Sequence, residues 1–293
     1  MRSNPIQKTR LPRPFRSIGK GTLTDNVPRD DLITMKIHPS AIVGKNVELG
    51  RDVIIGPGAV LDGVIKLGDC IEIGPHVVIT GHVSIGRDSR VFTGAVIGSP
   101  PQDLKYRGQK TFVRIGERNT IREYATINSA TDEGEETSVG SDNLIMAYSH
   151  IGHNCSVGDK TVLSNNATLA GHVTIENNAI LGGLVGIHQF CRIGAFAIVG
   201  GHSKAAQDIL PYSMADGHPA RIYWLNSIGL KRNNFSPETT AGLEKAFRFL
   251  IRSRLNMAHA VEKIKTEVPI TTEIALLLKF ITESKRGIAI SRK

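Results

Sequence analysis

The stretch that decides the fold runs from residue 139 to residue 199 and reads VGSDNLIMAYSHIGHNCSVGDKTVLSNNATLAGHVTIENNAILGGLVGIHQFCRIGAFAIV. Every sixth residue in it is aliphatic: Val139, Ile145, Ile151, Val157, Leu163, Leu169, Ile175, Leu181, Ile187, Ile193 and Val199. Four positions after these come small or β-branched side chains, among them Ser149, Cys155, Thr161, Ala167, Val173, Ala179, Val185, Cys191 and Ala197. A period of six suits neither a helix nor a lone amphipathic strand. It predicts a β-solenoid in which each unit is a short strand plus a corner, and three units close one triangular turn of about 18 residues. The aliphatic side chain points into the prism and the small one lets the chain bend. Residues 18 apart then stack on successive coils, about 4.8 Å from one another. Counting down from His153 gives Gly171 and then Gln189, so an imidazole, a glycine backbone and a carboxamide share one column.

Upstream, the same register starts at Ile37 and runs through Val43, Leu49, Ile55, Leu61, Leu67, Ile73, Ile79, Ile85, Val91 and Ile97. The aliphatic residue is often followed by glycine, as at Gly44, Gly50, Gly56, Gly68, Gly74, Gly86 and Gly98, which reads as strained backbone at the corners. Three slots between 37 and 199 break the pattern, Asp103, Gln109 and Glu133. They mark two loops, 99–114 and 129–138, thrown out of a rigid scaffold, where binding groups tend to sit. Beyond Gly201, prolines and glycines end the register, and Ser236-Pro237-Glu238 reads as a helix start with Ser as N-cap and Pro in the first turn. Ala246, Phe249, Leu250 and then Ile274, Leu277, Leu278, Ile281 carry helical spacing. A helical region covering the solenoid end would protect strand edges from pairing with other chains.

The chain has 293 residues, is 40% hydrophobic and only 5% aromatic, which suits a narrow solenoid interior. Its formal charge is +9, but Arg2, Lys8, Arg10, Arg13, Arg16 and Lys20 all precede the first acid, Asp25. The rest of the chain is close to balanced, so no nucleic-acid surface is expected. No apolar run approaches the roughly 18 residues of a membrane-spanning helix, so no transmembrane segment is expected. The basic leader, residues 1–34, resembles an organellar transit peptide, which implies a mitochondrial address; the alternative is a disordered tail on a cytoplasmic protein. Cys70, Cys155 and Cys191 show no metal-like spacing, and the last two read as packing residues in a reducing compartment.

Four segments together closely resemble the UDP-N-acetylglucosamine O-acyltransferase family of hexapeptide-repeat enzymes: NLIMAYSHIGHNC (143–155), NNATLAGHV (165–173), GIHQF (186–190) and QDLKY (102–106). The resemblance runs from about residue 35 to the end. It implies a mainly β fold, a left-handed parallel β-helix over residues 35–220, with a C-terminal α-helical domain over 221–293, assembled as a homotrimer. It also implies transfer of a 3-hydroxyacyl chain from acyl carrier protein to the 3-hydroxyl of UDP-N-acetylglucosamine, the first step of lipid A biosynthesis, with no cofactor beyond the carrier thioester. His153 matches the family's general base, and the Gly171 N–H its oxyanion donor. Asp103, Lys105, His150, His172 and Gln189 match contacts to the sugar and phosphates, and Asn226 and Arg232 contacts at the nucleotide end. Gly201 matches the position bounding the acyl tunnel.

Departures from the family pattern are Asn154, where the family usually has Asp after its catalytic His, Asn128 in place of another active-site His, and Asn233 in place of an Arg. Asn154 accepts a hydrogen bond but brings no charge, so a weaker base is expected. Two other classes stay open on sequence. One is a zinc enzyme of γ-class carbonic-anhydrase type using His150, His172 and His188, and the other is a catalytically weakened scaffold.

Overall fold

The computed structural model describes residues 36–290, so the leader and its expected organellar address lie outside the described residues. From residue 139 the six-residue unit becomes a two-residue strand plus a turn, as in His150–Ile151, Ser156–Val157 and Val162–Leu163. Each strand pairs in parallel with the strand eighteen positions on: His150 with Thr168, Ser156 with Thr174, Val162 with Ile180. Repetition builds a β-solenoid of about ten turns, followed by a helical region.

The expected inward residues are inside. Ile145, Ile151, Leu163, Leu169 and Leu181 have no exposed surface, and neither do Ala167, Val173 and Ala179 in the second inward slot. Burying an aliphatic of this size contributes about 1.5–3 kcal/mol relative to leaving it in water. Because each coil adds similar contacts to the next, phase is kept over the whole length. Even the loops keep it: Ile85 pairs with Ile115 and Ile115 with Val139, thirty and twenty-four positions on instead of eighteen. The excesses of twelve and six are whole hexads, so the aliphatic count resumes in register after each loop.

The expected reason for the glycines is corrected by the structure. Gly44, Gly50, Gly56, Gly68, Gly74 and Gly86 do not have the positive φ of a strained corner; among the seven only Gly98 does. They are small because coils stack closely there: a Cβ on Gly50 would lie 2.5 Å from the Gly68 carbonyl carbon, and one on Gly68 would lie 2.6 Å from Arg87 N. The left-handed residue comes two positions later and is usually not glycine, as at Asp52, Asp88, Asp142, Asn154, Asn166 and Asn178. Asn and Asp tolerate that region through local hydrogen bonds.

The helical region contains α1 (Ser227–Arg232), α2 (Pro237–Phe247), α3 (Met257–Glu267) and α4 (Thr272–Glu283), with a π-helical turn at Arg248–Arg252 after α2. The Ser236 side chain accepts from Thr239 N–H at the start of α2, as expected. Ala246, Leu250, Ile274, Leu277 and Leu278 face the core. Two features were not expected. An antiparallel hairpin, Ser213–Gly217 with Ala220–Leu225, extends one sheet past the last coil and carries strand five residues beyond position 220. The chain then returns after α4, where Asp208 N–H donates to Gly287 O and Ile222 N–H donates to Ala289 O. These bonds close the terminal strand edge, which would otherwise template pairing with another chain. Among the described residues no helix is long and apolar enough to cross a membrane.

Candidate active site

The first loop and the second are tied to each other at one corner of the solenoid. Lys110 N–H donates to Glu133 Oε2 (2.8 Å), Gly134 N–H to Lys110 O (2.9 Å) and Ser129 N–H to Ser99 O (2.9 Å). Asn128, buried, donates through Nδ2 to Ser99 Oγ (2.9 Å), so it serves to join the loops. Together the loops bring Asp103 and Thr131 to the coil that carries His153.

His153 is half-buried and held from one side. Its Nδ1 lies 2.8 Å from Asn154 Oδ1 and 2.9 Å from Thr131 Oγ1. Asn154 Oδ1 also accepts from Thr131 N–H (3.1 Å), and Asn154 Nδ2–H donates to the Glu135 carboxylate. A carboxylate only accepts, so the amide's nitrogen end must face Glu135 and its oxygen end must face His153. An amide oxygen cannot donate, which places the proton of the neutral imidazole on Nδ1. Nε2 therefore carries a lone pair. It lies 3.8 Å from Asp103 Oδ2, and a Cβ built on Gly171 would stand only 2.3 Å from it. Gly171 is thus directly over the ring, one coil on, as counting by eighteen predicts. Its own N–H finds no acceptor among the described residues. The ring edge of His153 and the unbonded N–H of Gly171 thus lie on adjacent coils in close approach.

The neighbouring imidazoles are both shifted toward the neutral form. His150 is bonded through Nδ1 to Thr126 Oγ1 (2.7 Å), and burial, then the nearby His153, lowers its pKa. His172 meets His153 edge to face at 5.1 Å and stacks on Phe190 at 4.7 Å. Its pKa is also lowered, by burial first and by His153 second, against the opposing pull of Glu135, Asp132 and Asp103. Lys105 and Gln189 are exposed, Lys105 with its N–H on Asp103 Oδ1 (2.9 Å) and Gln189 on the coil beyond Gly171. Cys155 and Cys191 are buried, with burial pushing their thiols up to about 12 and about 11, so neither is a nucleophile at neutral pH.

The remaining expected residues lie elsewhere on the same chain. Gly201 stacks on Gly183, whose built Cβ faces Asn165 O, so it belongs to a second corner. Asn226 is buried at a third: its Nδ2 donates to Phe196 O (2.9 Å) and its Oδ1 caps α1 by accepting from Gly229 N–H (3.0 Å). Arg232 is exposed at the end of α1. Among the described residues no three His, Cys, Asp or Glu side chains are gathered to hold a metal ion, and His188 lies exposed. Sequence reasoning did not single out Thr131 or Glu135. Their signal was there: both fall in the loop flagged by the broken register, and Asn154 is a departure that invites a search for a missing charge.

A parallel solenoid of six-residue steps, with its polar site on the outside of a corner, defines the hexapeptide-repeat transferase class, and residues 136–171 match the model of the bacterial transferase hexapeptide. Residues 208–289 match the second domain of UDP-N-acetylglucosamine O-acyltransferase. The chain belongs to the UDP-N-acetylglucosamine O-acyltransferase family. The acyl-[acyl-carrier-protein]--UDP-N-acetylglucosamine O-acyltransferase of Thermodesulfovibrio yellowstonii is 47% identical over 254 residues, covering 86% of this chain and 98% of that protein. The structure of the Francisella novicida UDP-N-acetylglucosamine acyltransferase superposes with a TM-score of 0.83 at 36% identity, covering 87% of this chain and 94% of the other. The Arabidopsis UDP-N-acetylglucosamine acyltransferase gives 0.72 at 33% identity, covering 86% and 99%.

Proposed function

We propose that this protein moves a 3-hydroxyacyl chain from acyl carrier protein to the 3-hydroxyl of UDP-N-acetylglucosamine, the first step of lipid A biosynthesis. The observation that carries this reading is the place of His153 Nε2 beneath Gly171, with Nδ1 held against the Asn154 amide oxygen, in a chain of this family. A sugar hydroxyl is a poor nucleophile and needs a base with a pKa near neutrality. His153 Nε2 takes the hydroxyl proton as the oxygen attacks the thioester carbonyl. The new C–O bond forms, the C–S bond breaks, and the imidazolium returns its proton to the departing sulfur. Negative charge on the carbonyl oxygen between these events is met by the Gly171 N–H, a contribution worth about 10²- to 10³-fold for a preorganised donor. No covalent intermediate on the enzyme is needed.

Asp103 is suited to the sugar hydroxyls and Lys105 to a phosphate, with His150, His172 and Gln189 around the sugar and pyrophosphate. The lowered pKa values of His150 and His172 favour imidazoles that both accept and donate hydrogen bonds to the substrate. Gly201 and Asn226 stand on other corners of the chain and Arg232 at the end of α1, away from His153 in sequence and fold, which supports a homotrimer in which adjacent copies complete one site. Light scattering in solution should give three times the 31.7 kDa chain mass; a monomer with full activity would refute the shared site.

Expression in a bacterium depleted of its own UDP-N-acetylglucosamine O-acyltransferase tests the function in a cell. The protein lacking residues 1–34 should restore lipid A synthesis and growth, and its His153→Ala variant should not. Failure of the folded parent to restore growth, or equal rescue by the variant, would count against the assignment.

A further inference from the structure

The family's usual carboxylate beside the base is absent from position 154, yet a carboxylate stands one hydrogen bond further away. Asn154 Oδ1 accepts from His153 Nδ1–H while Asn154 Nδ2–H donates to Glu135. Glu135 is pinned by its backbone: its carbonyl accepts from Phe112 N–H (2.9 Å) and its N–H donates to Asp132 O (3.0 Å). The Asn154 backbone is fixed too, its N–H donating to Thr137 Oγ1 (2.8 Å) in the strand that follows Glu135. The amide is therefore clamped at both ends, polarised between a carboxylate and an imidazole.

We infer that Glu135 is a positioning residue for the base, supplying through the Asn154 amide the negative charge that an aspartate at 154 would supply directly. The inference rests on His153 being the base. As the imidazolium forms, its Nδ1–H bond to the amide oxygen strengthens, which sharpens the Nδ2–H bond to Glu135; hydrogen bonds in such chains polarise one another. Charge compensation across two bonds is weaker than across one, because Coulomb energy falls with distance. It still favours the protonated ring. The other charged or titratable groups facing His153 are Asp103 at 3.8 Å, His172 at 5.1 Å between ring centres and the nearby His150, and Asp132 acts on the same pocket through His172.

Glu135→Gln tests the charge while keeping the contact, since the amide oxygen of the new side chain still accepts from Asn154 Nδ2–H. The pH profile of kcat/KM should have its acid limb moved down by about half a pH unit, with kcat at neutral pH falling about 3- to 10-fold. Asn154→Asp alone puts two carboxylates face to face and should lower activity as well. Combined, the changes exchange donor and acceptor: the carboxylate introduced at 154 accepts from both His153 Nδ1–H and the amide N–H introduced at 135. The double variant should therefore recover the rate and return the limb to the parent position or above. That reversal is a coupling which independent residues do not show.

A Glu135→Gln variant with unmoved limb and rate, or Asn154→Asp alone raising activity, would overturn the inference. So would a double variant no better than its worse single parent. The His153 pKa, followed by NMR in protein carrying 13C-labelled histidine, gives a readout that needs no turnover: it should fall in Glu135→Gln and recover in the double variant. A parent protein without transfer activity would refute the proposed function, and the titration alone would then decide whether Glu135 holds the ring.

Discussion

Replacing His153 by alanine is expected to lower kcat for acyl transfer by about 10²- to 10⁴-fold, the range typical of losing a positioned general base. KM for the sugar nucleotide should change only a few-fold if His153 acts as the proposed base, because an interaction made only in the transition state appears in kcat. The substitution should not unfold the chain. The inward neighbours Ile151 and Cys155 carry the packing of that coil, whereas His153 is half-buried with its ring on the polar side. Thr131 and Asn154 keep the hydrogen bond that links them. Steady-state kinetics with a melting curve on the same sample checks this. A loss of kcat matched by a collapse in Tm would instead mark His153 as structural.

The second large effect is at Gly171. Alanine at this position would bring a Cβ to 2.3 Å from His153 Nε2 and 2.4 Å from Cε1. The Gly171 backbone has no positive φ, so alanine is acceptable to the chain and the clash falls on the ring alone. An imidazole is the end of a side chain and can swing away, but doing so breaks its bonds to Asn154 and Thr131 and moves Nε2 from the position proposed for proton transfer. We expect kcat to fall about 10²-fold or more, as displacements of about 1 Å at a reacting centre do, with Tm close to that of the parent. Full activity in Gly171→Ala would show that the reacting atoms do not sit between these two coils.

These two residues also show what the sequence makes legible. Their juxtaposition follows from arithmetic, since a solenoid of three hexads per turn stacks residue 153 under residue 171 with no further information. The same arithmetic survives both loops because each inserts whole hexads. It fails for glycine, where one sequence signal has two physical causes: Gly50 and Gly68 are small for the close approach of coils, and the left-handed corner falls two residues later. Helix α2 was readable from its cap, Ser236, because capping is local. The pairing of Ile222 with residue 290 was not, because nothing nearby in sequence encodes a contact sixty-eight positions away.

The site divides in the same way. Resemblance picked out Asp103, and the loop geometry brings its carboxylate to the ring. The broken register marks the loop that holds Thr131 and Glu135 but not these two positions within it; they matter because the second loop folds back along the first. Asn154 read by itself suggests a weakened base. Its amide instead lies between the imidazole and a carboxylate, a relation invisible until position 135 is brought next to position 154.

The most direct test of the account is transfer of a labelled 3-hydroxyacyl chain from acyl carrier protein to UDP-N-acetylglucosamine, with the acylated position read from the purified product. The account predicts a single product esterified at the 3-hydroxyl, formed by the parent protein and reduced about 10²-fold or more with the folded His153→Ala variant. A folded parent that leaves this acceptor unmodified, or a variant that acylates it at the parent's rate, would contradict it.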